Sequence, residues 1–148
     1  MTTTHLQIWT EARTRFSNLL TTAQANDLTK KLPNTKNTAG FLIRHIADVE
    51  LLFAKNVFGA MNLKVHAQTV MDQKDTGVWI NIEELMIYEQ TAFTALKEII
   101  EQQTEEDWPT SITTKEFGTK TKAEAFGRIV SHTAYHAGQL ALTLKYGV

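Results

Sequence analysis

Hydrophobic and polar positions repeat with the period of an α-helix over four long segments of the chain. The first predicted helix covers residues 4–25, where Trp9 and Phe16 belong to one apolar stripe. The second begins after Asn37 or Thr38, since either side chain suits an N-cap, and it continues through residue 58. Gly59 then supplies a residue type that commonly ends helices.

Capping residues also mark the other two predicted helices. Asn81 precedes the third, which continues to about Gln103. Thr121 and Glu124 have the spacing of a capping box and open the fourth helix, which ends at Gly147. Four amphipathic helices of this length predict an all-α fold, a four-helix bundle formed by one domain over residues 1–148.

Two long connections interrupt this pattern, one between the second and third helices and one between the third and fourth. The first covers residues 60–79, and residues 63–71 within it are predicted to form a short helix. The second covers residues 104–120 and is predicted to hold a short extended hairpin. Connections of this length in a compact domain are usually functional or carry structure of their own.

Composition narrows the classes of partner. Charged residues make up 21% of the chain and the formal net charge is -1, so no basic field favours nucleic acid or an anionic membrane surface. The chain has neither a signal-peptide pattern nor an apolar run long enough to span a bilayer, and we expect a soluble, cytoplasmic protein. It contains no cysteine, which leaves histidine and carboxylate as its strong metal ligands.

Two histidines of the fourth predicted helix have a spacing that suits metal binding. His132 and His136 are four residues apart, so both imidazoles lie on one helix face, which also carries Ile129 and Leu140. This face points to the protein interior, and a third ligand must come from another helix. His45, inside an apolar run of the second helix, is the best candidate. Buried histidines that only form hydrogen bonds are the alternative, but one shared ion would satisfy a nitrogen on each ring.

Three neutral imidazoles would leave an ion with its full charge and an open coordination position, as in catalytic sites. Such an ion generates a nucleophile at neutral pH by lowering the pKa of a water or a thiol. Because the chain lacks cysteine, any sulfur nucleophile must come from a co-substrate. Histidine with an open position suits zinc, nickel, copper or iron.

Residues 38–50 (TAGFLIRHIADVE) and 132–140 (HTAYHAGQL) resemble the DinB/YfiT-like metalloenzyme family, and the order of helices and the chain length match as well. In that family a histidine of the second helix and an HxxxHxGQ motif of the fourth bind one divalent metal. The resemblance carries these roles over to His45, His132 and His136. Members include bacillithiol and mycothiol S-transferases and thiol-dependent isomerases, and many are homodimers. The resemblance therefore implies a low-molecular-weight thiol cofactor and a homodimer.

Other polar residues near the histidines have weaker claims. Gln139 and Tyr135 flank the pair and are expected to contact a substrate or cofactor, although packing alone also explains them. Arg44 and Arg13 are candidates to receive the carboxylates of a thiol cofactor, on charge alone. His66 lies in the first connection, where it either approaches the metal or is exposed.

Three acidic residues also have open alternatives. Asp48 or Glu50 would orient a ligand imidazole, or else would be solvated. Glu89 interrupts the apolar stripe of the third helix, which makes it a buried acid, a general base, a fourth ligand, or an edge residue paired with a lysine. No residue is assigned a catalytic role from the sequence.

The sequence as a whole predicts a metal-dependent enzyme, with a bacillithiol-type S-transferase acting on small electrophiles as the first hypothesis. A metal-dependent hydrolase that uses water as nucleophile is the second. A non-catalytic metal-binding dimeric module is the third. Periodicity and spacing do not separate them, because a substrate pocket built from loop residues leaves no local motif.

Overall fold

The computed structural model describes residues 1–148 and confirms the all-α bundle. Its α-helices are α1 (Thr2–Leu20), α2 (Ala39–Asn56), α3 (Gln68–Asp72), α4 (Ile82–Glu101) and α5 (Lys122–Tyr146). A 3-10 helix covers Ala25–Asp27, and two strands, β1 (Ser111–Thr114) and β2 (Gly118–Thr121), precede α5. None of the helices combines the length and the apolar character that a membrane span requires.

The N-caps predicted for α2, α4 and α5 are confirmed. At α2 the cap is Thr38, whose hydroxyl accepts a hydrogen bond from the Phe41 backbone N–H at 3.2 Å. Asn81 caps α4 in the same way through its side-chain oxygen. At α5, Thr121 and Glu124 form the reciprocal capping box that their spacing predicts. These interactions are local in sequence, which is why spacing alone was enough to predict them.

The first helix ends earlier than predicted. It stops at Leu20, five residues before the predicted end, and residues 25–27 form a separate 3-10 turn. The hydroxyls of Thr21 and Thr22 donate to the carbonyls of Asn18 and Leu19, at 2.7 and 3.3 Å. Threonine hydroxyls that bond to nearby backbone compete with continued helix, and the apolar periodicity does not register this competition.

The two connections contain the predicted elements with adjusted bounds. The short helix of the first connection is α3, Gln68–Asp72, which begins later than residue 63. The hairpin of the second is confirmed, because β1 and β2 pair antiparallel with Ser111 opposite Thr121. Gly118 opens β2 with a φ of +73°, a conformation that favours glycine and lets the chain turn back.

Helix α2 lies at the centre of the bundle. It packs against α4, α5 and α3, while α1 packs against α5 and α4. Its Ile46 and Val49 belong to two different core clusters, one with Phe16 and Leu140, the other with Trp9. The segment of α2 that carries His45 is therefore held by apolar packing from both clusters, which fixes its position relative to α5.

Candidate metal centre

The structure brings His45, His132 and His136 together. His45 comes from α2, and the other two come from successive turns of α5. Each histidine contributes one ring nitrogen, and these three nitrogens all lie within 4.8 Å of one another. All three side chains are half-buried. The ring centroids of His132 and His136 are 4.4 Å apart, and that of His45 is 5.1 and 4.8 Å from them. Three imidazoles thus converge on one point.

Hydrogen bonds to the rings test whether this cluster suits an ion. Nδ1 of His136 is 2.7 Å from Oε1 of Gln139. An amide oxygen only accepts, so this Nδ1 carries the proton and Nε2 keeps its lone pair. Nδ1 of His132 is buried without any hydrogen-bond partner, which costs about 1–3 kcal/mol for an unsatisfied polar group. An ion ligated by that nitrogen would remove the cost, and the donor set fits a divalent metal.

The three rings are neutral near pH 7. Burial and, to a smaller extent, the neighbouring His136 lower the pKa of His45 to about 4, against the opposing effect of Asp48. Burial lowers the pKa of His132 to about 3, with contributions from the other two histidines. The pKa of His136 is also lowered by burial, against the opposing effect of Gln139. Neutral imidazole is the form that ligates metals, so this environment favours ligation.

A cavity of about 360 Å³ opens onto the histidines. Its lining combines apolar and polar side chains from α2, the first connection, the hairpin turn and α5. The residues that line it beside the histidines include Phe41, Val49, Leu52, Val70, Gln73 and Glu116. A small molecule in this cavity would have its apolar part against α2 and would reach the ring nitrogens directly.

Comparison with known proteins decides the family. The family model described as DinB superfamily matches residues 8–140. The chain belongs to the DinB superfamily. It is also similar in fold to the crystal structure of a mutant of the mycothiol-dependent maleylpyruvate isomerase, with a TM-score of 0.70 and 14% sequence identity. That alignment covers 95% of this chain but 60% of the isomerase, so the chain spans less than two thirds of its length. No curated protein sequence matches the chain significantly.

Gln139 and Tyr135, the two residues of α5 expected to contact a substrate or cofactor, lie in different environments in this DinB superfamily protein. Gln139 supports His136 through its amide oxygen, so its first partner is a histidine of the cluster. Tyr135 is 66% exposed and lines a shallow cavity beside His132 and His136, together with Glu116 and Arg128. Tyr135 therefore borders the centre from the solvent side.

The structure does not bring Arg44 into the histidine cavity. Its Nε donates to Oδ1 of Asp48 at 2.9 Å, and its guanidinium lies 3.5 Å from the ring centroid of Tyr88. A second nitrogen donates to the backbone carbonyl of His66 at 3.0 Å. The side chain of His66 is exposed and contacts Gln68. Arg44 and His66 thus anchor the first connection to α2, and neither lines the cavity.

Arg13, Glu50 and Glu89 form a buried network that also does not line the histidine cavity. Arg13 Nε is 3.0 Å from Glu50 Oε1, and Arg13 Nη1 is 2.8 Å from Glu89 Oε1. Glu50 lies five residues after His45, about 140° around the helix at 3.6 residues per turn, so it faces another side of α2. Arg13 is therefore not free to bind a cofactor, and Glu89 is paired with arginine instead of acting as a fourth ligand.

Three further residues at the centre were not predicted from the sequence. Thr69 contacts His45, while Gln73 and Glu116 line the cavity. All three lie in the two connections, outside the periodic segments. The only available signal was the length of those connections, which predicts a functional role without naming a residue.

Proposed function

We propose that this DinB superfamily protein is a metal-dependent enzyme that transfers a low-molecular-weight thiol of the bacillithiol type to a small electrophile. The observation that carries the proposal is the convergence of three neutral imidazoles on a cavity of about 360 Å³. Three protein ligands with access from a cavity are typical of catalytic metal sites. His45, His132 and His136 would hold one divalent ion of the zinc, nickel or iron class.

The chain's own residues would perform the binding and positioning. The bound ion would supply positive charge that favours the thiolate form of a thiol at neutral pH. Phe41, Val49 and Val70 are apolar residues of the cavity lining, and an electrophile placed against them would be partly shielded from water. Because the chain has no cysteine, the attacking sulfur belongs to the co-substrate.

The proposed step conserves atoms and charge. The thiol first loses its proton to solvent, and the sulfur lone pair then forms a bond to an electrophilic carbon. In a substitution, the bond from that carbon to its leaving group breaks, and the leaving group departs with the bonding pair. No oxidant or reductant is needed, so the thiol and the electrophile are the only reactants.

The first prediction is metal-dependent and thiol-dependent turnover. Protein loaded with zinc, nickel or iron should convert a chloroarene or a bromobimane to its thioether with bacillithiol, mycothiol or cysteine as the thiol. The rate should saturate with the preferred thiol, disappear with a chelator and return when the metal is restored. Chromatographic product analysis, with chelated protein as the control, measures this directly.

The same substrate panel separates the alternatives. Ester or amide turnover that requires the metal but ignores every thiol would refute the transferase and favour a hydrolase. Metal binding without any turnover would favour a non-catalytic module. Uncatalysed thioether formation gives the background rate to be subtracted from each reaction.

We also propose that the protein forms a homodimer, as the resemblance implies. Tyr135, Leu142 and Tyr146 are exposed large hydrophobic residues spaced along the outer side of α5. Gly138 lies among them, and a Cβ built there meets nothing within 4 Å, so the monomer has no packing reason for glycine at a helical position. Light scattering at micromolar concentration should give twice the 16.7 kDa chain mass, and a monomeric mass would contradict the proposal.

A further inference from the structure

Thr69 of α3 lies between His45 and the buried carboxylate of Asp48. Its Oγ1 is 3.1 Å from Nδ1 of His45 and 2.6 Å from Oδ2 of Asp48. Its backbone N–H donates to the same carboxylate oxygen at 3.0 Å. Both Thr69 and Asp48 are fully buried. The hydroxyl therefore contacts His45 on one side and an acceptor on the other, without competition from solvent.

The second oxygen of Asp48 shows which protonation state this carboxylate has. Oδ1 accepts from Arg44 Nε at 2.9 Å and from the Tyr88 hydroxyl at 2.6 Å. Together with the two bonds from Thr69, four donors converge on the two oxygens, and one of those donors is a guanidinium. This is the environment of an ionised carboxylate, which only accepts hydrogen bonds.

Counting protons then assigns the tautomer of His45. The Thr69 hydroxyl has one hydrogen, and the ionised Asp48 carboxylate requires it, so Oγ1 is left as an acceptor toward His45. A contact between Oγ1 and Nδ1 is then a hydrogen bond only if Nδ1 carries the proton. Nε2 of His45 is consequently unprotonated and keeps its lone pair for an ion.

We propose that Thr69 is a positioning residue of the metal centre: with Asp48, it holds His45 as the Nδ1–H tautomer and directs Nε2 toward His132 and His136. The inference rests on the proposed metal site. The first connection would then have a specific function, because its helix α3 supplies the hydroxyl that contacts His45, which α2 and α5 do not provide. Gln139 performs the equivalent task for His136.

The test compares Thr69→Val, which keeps the shape but lacks the hydroxyl, with Thr69→Ser, which keeps the hydroxyl. Imidazole nitrogen chemical shifts of the metal-free protein at pH 7 should show His45 as the Nδ1–H tautomer in the natural sequence and in Thr69→Ser. In Thr69→Val the Nε2–H tautomer should become substantially populated. Zinc affinity, measured by competition with a chromophoric chelator, should fall about 10–100-fold in Thr69→Val and recover in Thr69→Ser.

Tyr88→Phe is the matched control. It removes one hydrogen bond to Asp48 on the oxygen that does not face Thr69, so a general weakening of the hydrogen bonds around Asp48 would affect it comparably. We expect its His45 tautomer and its zinc affinity to match the natural sequence. A shift in Tyr88→Phe equal to that in Thr69→Val would overturn the proposal in favour of a purely structural role.

The tautomer of His45 in the natural sequence also tests the proposal without any variant. An Nε2–H tautomer of His45 in the folded, metal-free protein would overturn the inference even if Thr69→Val failed to fold. Failure of the proposed function is a separate result: protein that binds no zinc but shows the Nδ1–H tautomer would refute the metal site and leave the hydrogen-bond assignment standing.

Discussion

Replacing His136 by alanine should abolish metal binding and thiol transfer together. The cluster has three imidazoles, and with one removed only His45 and His132 remain to hold the ion. Residues that merely orient a ligand are already worth about 10–100-fold in affinity or activity, so loss of a ligand should exceed about 100-fold. Zinc titration calorimetry and the thiol-transfer rate should fall in parallel.

His66→Ala is the matched control for that experiment. It also removes one imidazole, but His66 is exposed and its ring is hydrogen-bonded to Gln68, outside the cluster. Its zinc stoichiometry and its transfer rate should equal those of the natural sequence. Zinc affinity in His136→Ala within a few-fold of the natural value would show that the ion is held elsewhere, and the proposed centre would be wrong.

The features of this molecule that depend on local spacing could be predicted from its sequence. The side chains of Thr38, Asn81 and Thr121 bond to backbone only three residues away, so the starts of three helices could be predicted without any tertiary information. The same holds for His132 and His136, whose shared face follows from helical geometry. His45 required one further step, the expectation that an isolated histidine in an apolar run faces the core.

The hydrogen bonds around the centre could not be predicted in this way. Thr69 is 24 residues from His45, and their contact depends on how the first connection folds over α2. Periodicity says nothing about where a connection places one hydroxyl. The contacts of Arg44 depend on tertiary structure as well: its charge predicts a cofactor contact, and in the structure it is paired with Asp48, one turn further along the same helix.

The sequence contains part of the information needed to predict that Glu89 pairs with an arginine. Its interruption of the apolar stripe of the third helix predicts either a buried acid or an edge residue paired with a lysine, and the structure buries it. A buried carboxylate requires a cation, and Arg13 stands between Trp9 and Phe16 on the apolar stripe of the first helix. Two such interruptions on different helices predict a pair across the core. Their spatial proximity, however, depends on which helices are neighbours.

Replacing Arg13 by methionine should cost about 3–5 kcal/mol of unfolding free energy at pH 7, the range for a buried ion pair that loses one partner. Arg13 is 3% exposed and bonds to Glu50 through two nitrogens, at 3.0 and 3.1 Å, and to Glu89 through a third. Methionine fills much of the space but leaves two carboxylates buried, at 0% and 7% exposure, without a cation. Urea denaturation measures the loss.

The loss should shrink as the pH is lowered. Burial raises the pKa of the Glu50 carboxyl, and the contacts with Arg13 and Thr133 oppose that rise. Without Arg13 the folded-state pKa rises further above the unfolded value, so the folded state is penalised above the unfolded pKa and the penalty is released as protons bind. The difference in unfolding free energy between Arg13→Met and the natural sequence should therefore be smaller at pH 5 than at pH 7.

Two further variants separate the buried charges from the loss of an arginine side chain as such. Arg15→Met changes an exposed arginine of the same helix and should stay within about 0.5 kcal/mol of the natural sequence. The triple variant Arg13→Met, Glu50→Met, Glu89→Leu removes all three charges and should recover most of the lost stability, because apolar replacements of buried ion pairs are often neutral. If the triple variant were as unstable as Arg13→Met, packing by the guanidinium between Phe16 and Phe93 would be the dominant contribution instead.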